Sequence, residues 1–163
     1  MRPLNEIEIV QNPALGAYAL WRFGLGYQSE DGRTPLLPLS FLVLPLLLHR
    51  PTLDVISSTL KPSGLTLFAA KLGKEREKLL AVHERALALR PLTLQSIGLG
   101  INQRLLTLDY TTTYIRANTP ETSVRKAAVP ERIRAFSGAA DKVGFWFAQL
   151  SFQQIASILA VEF

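Results

Sequence analysis

The sequence predicts a mainly α-helical fold carrying one short β-hairpin. Three observations lead there. Pro or a capping residue opens one apolar segment after another, at Asn12-Pro13, Thr52, Ser63 and Pro91. Segments 74–88 and 130–150 repeat apolar residues every three or four positions, the period of a helix with a buried face. Leu105–Leu108 and Thr111–Ile115 are short runs rich in Leu, Thr, Tyr and Ile that flank Asp109-Tyr110, as the strands of a hairpin flank its turn.

Taken in order, the first helix runs from Asn12-Pro13 to about Tyr27. Asn caps free amides, and Pro at the first helical position has a helical φ and no N–H to leave unpaired. Leu15, Tyr18, Ala19, Trp21, Phe23 and Leu25 cover more than one stripe, so this helix is expected to be enclosed on several sides. The polar turn from Gln28 to Thr34 then folds the apolar run Leu36–Leu48 back against it. Periodicity does not separate helix from buried strand in that run, but its length favours a helix, kinked near Pro45. Thr52 is expected to cap a short helix to about Leu60, and Ser63 one over Leu65–Leu72, after the Lys61-Pro62-Ser63-Gly64 breaker.

The helix over 74–88 sets Leu79, Leu80, Val82, Ala86 and Leu87 against Lys74, Glu75, Glu77, Lys78 and Glu84. Pro91 opens the next helix, to about Gly100 or Gln103, and the hairpin follows. Helix, short turn, helix and hairpin is the order of a winged helix-turn-helix. Residues 117–129 read as a flexible polar connector, and Pro130–Leu150 as a long helix. Phe152–Phe163 is expected to pack back as a short helix with a terminal strand. Length predicts one compact domain, with a helical part about 1–60, a winged-helix-like unit about 63–116 and C-terminal helices about 130–163.

Hydrophobic residues make up 48% of the 163 and charged residues 19%, below the roughly 25% of ordinary soluble domains. Mean hydropathy is +0.18. This composition excludes disorder and implies more apolar surface than a small core uses. The net charge of +5 is uneven. Residues 1–60 hold four basic and five acidic groups, and the remaining 14 basic and 8 acidic groups lie beyond. Such a charge permits nucleic-acid contact without establishing it. With no Cys, disulfides, a thiolate nucleophile and sulfur-ligated zinc are excluded, and a reducing cytoplasm is expected. The N-terminus lacks the apolar stretch of a secretory signal. The run Leu36–Leu48 falls short of the roughly 20 residues that span a bilayer, so no membrane association is expected.

His49 and His83 stand alone, without the spacing of a metal site. Phosphate-loop and nucleophile-elbow patterns are missing, as are paired carboxylates. Gly24-Leu25-Gly26 and Gly98-Leu99-Gly100 read as sites of close helix contact. No enzymatic activity, cofactor or small-molecule substrate is therefore expected. In the helix after Pro91, Gln95 and Asn102 could meet bases, but no Lys or Arg precedes Arg104, and phosphate contacts supply most of the affinity of such modules. Arg90, Arg104, Arg116, Arg125 and Lys126 form either a candidate nucleic-acid rim or a solubilising one. Trp21, Phe145 and Trp146 are candidate partner contacts, because aromatic residues dominate interface energetics. Phe145, Trp146 and Phe147 are consecutive on one helix and cannot all point the same way.

Several pieces together resemble the middle component of bacterial ABC three-component systems. They are Asn12-Pro13-Ala14, the stretch Leu37–His49 with its Phe41-Leu42-Val43-Leu44-Pro45 centre, Glu84-Arg85-Ala86, the stretch Ala139–Phe147, and Ile155–Leu159. They occur in the family's order over nearly the whole chain. The resemblance implies a small helical, winged-helix-like adaptor encoded between an SMC- or Rad50-like ABC ATPase and an effector, expected to be a nuclease. It implies a hetero-oligomer organised like Lamassu anti-phage and anti-plasmid defence, with weak or indirect DNA contact. The family supplies no catalytic residues to carry over. A winged-helix DNA-binding regulator is the alternative.

Overall fold

The computed structural model describes residues 12–74, 76–119 and 131–163. Helix α1 (Pro13–Gln28) begins as its sequence dictates, with Asn12 Oδ1 accepting the Ala14 N–H at 2.9 Å. Its buried residues Gly16, Ala17, Ala19, Leu20, Phe23, Gly24 and Gly26 cover several sides. The expected enclosure is observed.

The apolar run after the turn is helical and buried. Leu37–Leu42 forms a 3₁₀ helix and Val43–Leu47 forms α2. The break falls at Leu42-Val43, not at Pro45. Pro38 and Pro45 each sit in a first turn, where a backbone N–H would have no helical partner, so each opens a helix instead of kinking one. Helix α3 (Arg50–Ser58) has His49 at its cap position. Thr52 lies inside that helix and is buried, which corrects its expected role as the cap. A 3₁₀ turn (Lys61–Ser63) leads into α4 (Gly64–Leu72), where Ser63 occupies the cap position without a side-chain bond.

Helices α5 (Arg76–Ala88) and α6 (Arg90–Asn102) are followed by strands β1 (Leu106–Leu108) and β2 (Ile115–Ala117). The strands pair antiparallel, Leu106 with Ala117 and Leu108 with Ile115. The second strand starts later than the sequence suggests. Asp109 Oδ1 accepts the N–H groups of Thr111 and Thr112, and Thr113 takes a positive φ of 61°, so the threonines form the turn. Helix α7 (Glu131–Ala148) and helix α8 (Phe152–Leu159) complete the chain. Ser151 and Gln154 close a capping box on α8. The predicted terminal strand is absent: Ala160 is left-handed at φ 54° and ends the helix, and residues 160–163 carry no strand.

Helix α1 packs on α7, α6 and β2. A Cβ on Gly26 would collide with the Asp141 carbonyl, and one on Gly144 with the Phe23 carbonyl, so α1 and α7 meet backbone to backbone. On the opposite side Gly16 admits Ser96 of α6. Phe23 sets its ring edge against Phe147 at 5.6 Å, and Phe68 stacks on Trp146 at 5.6 Å. These rings join α1, α4 and α7 into one apolar cluster with α2.

Candidate partner interface

The three aromatic candidates occupy different environments. Trp146 is 1% exposed; its indole donates to the Lys61 carbonyl at 2.9 Å and its ring lies on Phe68. It is a member of this chain's own core and offers no surface. Phe145, one position earlier, is half-buried beneath the Lys61 ammonium at 4.8 Å. With Lys61, Pro62, Leu65 and Gln149 it borders a shallow cavity of about 260 Å³. Trp21 is half-buried on α1 and donates to the Asn118 carbonyl at 2.8 Å. Of the three, Phe145 and Trp21 retain accessible ring surface.

The basic rim is scattered. Arg90 and Arg104 are exposed at the two ends of α6, about 20 Å apart at a rise of 1.5 Å per residue. Arg116 is exposed on β2 and shares a depression of about 390 Å³ with Thr34, Thr107, Asp109, Thr112 and Tyr114. A carboxylate thus accompanies the guanidinium there. Arg125 and Lys126 lie outside the described residues. Gln95 and Asn102 are exposed on α6 without a cation between them.

The predicted order of helix, helix and hairpin is observed, yet the hairpin is not a free wing. Ile115 N–H donates to the Pro35 carbonyl at 3.0 Å and Leu37 N–H to the Thr113 carbonyl at 2.8 Å, which makes an isolated antiparallel bridge between Leu36 and Tyr114. The Gln28 amide then extends that edge: Oε1 accepts the Ala117 N–H at 2.8 Å and Nε2 donates to the Ala117 carbonyl at 3.1 Å. Side-chain amide thus substitutes for the next strand's backbone, and the hairpin is tied to α1. Gly24 deepens this contact, since a Cβ there would lie 2.7 Å from that of Ala117. Gly26 is a close helix contact as expected, whereas Gly24 makes its close contact with a strand. Gly100 likewise admits Leu106, whereas Gly98 faces open space.

Several polar residues that the sequence did not single out have structural partners. Arg85 reaches from α5 to the Pro45 carbonyl at 3.2 Å and to Thr52 Oγ1 at 3.3 Å. The Thr52 hydroxyl also lies 2.7 Å from His49 Nδ1, a contact in which the ring nitrogen can accept or donate according to its tautomer. Burial, followed by the charges of Arg85 and Lys78, holds His49 below its ordinary pKa. His83 Nδ1 accepts the Glu162 N–H at 3.3 Å, tying α5 to the chain end. Lys142 of α7 donates to the carbonyls of Ile56, Ser57 and Thr59 at 2.8–3.4 Å. It thereby closes the negative end of α3; burial, then Lys61 and Lys71, lowers its pKa. Asp141 pairs with Lys61 at 3.1 Å.

Among the described residues no group of three or more His, Asp or Glu could hold a metal ion, and no single helix is long and apolar enough to cross a membrane. The residues define a helical protein in which Arg85, Lys61, Asp141 and Lys142 tie its own elements together. A family model described as ABC-three component (ABC-3C) system Middle Component 3 matches residues 2–163, and the chain belongs to that family. No curated protein and no solved structure matches it. Four of the stretches that carry the resemblance have architectural roles here. Asn12 caps α1, His49 precedes α3, Arg85 binds α5 to α2, and Asp141, Lys142 and Gly144 seat α7.

Proposed function

We propose that the chain is a non-catalytic adaptor that bridges an SMC- or Rad50-like ABC ATPase and an effector subunit in an anti-phage or anti-plasmid defence complex. In this reading it helps hold the effector inactive until foreign DNA is sensed. The observation that carries it is membership, over residues 2–163, of a family described as a middle component of a three-component system. The engagement of His49, Arg85, Asp141 and Lys142 in bonds within the fold supports it, since those are the groups a catalytic site would draw on.

The test is co-expression of the tagged chain with its companion components, followed by purification and by phage or plasmid challenge. A stable ternary complex, with protection lost when this chain is omitted, is the expected result. A monomer that captures neither companion overturns the reading. Nanomolar, sequence-selective DNA binding by the isolated chain, lost on changing Gln95 and Asn102 to Ala, would favour the winged-helix regulator instead.

A further inference from the structure

Helix α5 is the amphipathic helix that the fold absorbs least. Val82 is its one fully buried residue among those described, with Leu79 and Ala86 packed at the edge of the core. Leu80 and Leu87, which the sequence groups with those residues, face outward at 50% and 59% exposure. One exposed leucine is ordinary on a protein surface. Two separated by seven residues lie on the same line of a helix, the spacing at which one helix receives another.

Charge surrounds that line. Glu77 and Glu84 are exposed three residues before and four after Leu80, so they share its strip. Neither pairs with a cation among the described residues. Arg85, adjacent to Glu84, is turned inward onto the Pro45 carbonyl and Thr52 and leaves the carboxylate between the two leucines unneutralised. The line ends with α5 at Ala88; Leu94, 52% exposed, and Arg90 belong to the next helix, α6, beyond the break at Leu89.

We propose that the outer face of α5 docks an amphipathic helix of a companion component, which sets apolar side chains against Leu80 and Leu87 and a Lys or Arg against Glu84. This rests on the accessory-subunit reading above. A second copy of the chain fits less well. Parallel pairing of α5 with itself places Glu84 on Glu84, and antiparallel pairing of Leu80 with Leu87 brings both Glu84 carboxylates beside the symmetry axis. Like charges meet either way, which selects against self-association.

The experiment is purification of the tagged chain co-expressed with its companion components. It compares the unaltered chain, the Leu80→Glu/Leu87→Glu double variant, Glu84→Lys, and Leu67→Glu as an exposed control on α4. The double variant is expected to retain at least tenfold less companion, and Glu84→Lys several-fold less, while Leu67→Glu matches the unaltered chain. All four should keep the same thermal unfolding midpoint. Full retention by both the double variant and Glu84→Lys overturns the docking seam and leaves the accessory reading standing. Failure of the unaltered chain to retain any companion overturns both. A homodimer of the isolated chain that the double variant abolishes would assign the seam to a second copy and overturn the proposal.

Discussion

Both α7 and α5 repeat apolar residues at helical spacing, but their surroundings differ. Helix α7 buries Phe136, Ala139, Ala140, Val143, Trp146 and Phe147, and Gly144 lets it touch the backbone of α1. Helix α5 buries Val82 and keeps Leu80 and Leu87 outside. The apolar excess of the composition therefore divides unevenly. Most of the apolar side chains of the aromatic C-terminal helix and of the Pro-containing run are consumed by the core. The large apolar side chains that stay exposed among the described residues lie elsewhere, at Leu60, Leu67, Leu80, Leu87, Leu94, Tyr110, Tyr114 and Phe163. Core packing and the exposed apolar surface thus draw on different residues.

The contrast can be broken hardest at Trp146. Trp146→Ala removes a fully buried ring and the bond to the Lys61 carbonyl, and is expected to cost about 4 kcal/mol in urea or guanidinium unfolding. Gly144→Val should follow at about 3 kcal/mol, because the added carbons meet the α1 backbone, which cannot move aside as a side chain can. Gln28→Ala should cost about 1–2 kcal/mol. Its signature is local: amide exchange should accelerate at Ala117 while the α1–α7 contact stays protected. A loss of protection across the whole chain would show that the hairpin belongs to the same cooperative unit as the core.

The smallest expected effect is one of pH. The folded state holds His49 below its ordinary pKa of 6.5, so it binds fewer protons than the unfolded state as pH falls through that value. Stability is then lost below about pH 6.5 and is unaffected at higher pH, where both states carry neutral imidazole. The denaturation midpoint should drop between about pH 7 and pH 5.5. His49→Asn, which keeps a capping residue ahead of α3, should flatten that dependence. An unchanged slope in this variant would remove His49 as its source.

Much of the fold was legible because local rules govern it. Asn12-Pro13 starts α1, Pro91 opens α6 from within its first turn, and the spacing of Phe136, Ala140, Val143 and Phe147 marks α7. The errors share one cause. Residue type alone assigns Thr52 to a cap, Pro45 to a kink and Thr111–Ile115 to a strand, whereas their roles depend on neighbours. Arg85 claims the Thr52 hydroxyl, and Asp109 draws the following threonines into a turn. The interface candidates show the same limit: Phe145 and Trp146 are adjacent, and only the direction of α7 decides that Trp146 enters the core while Phe145 reaches its edge.

By itself, then, the sequence determined the helical class, the order of the elements, the two charge regions and the family, because capping, period and composition act within a few residues. Tertiary structure decided which apolar residues stay outside, and it converted a nominal wing into a hairpin fastened to α1 by Gln28. It also turned Arg85 of α5 and Lys142 of α7 into struts. Those outcomes depend on which surfaces meet across tens of residues, such as Gln28 with Ala117 or Lys142 with Ile56, and such encounters leave no periodic mark in the chain.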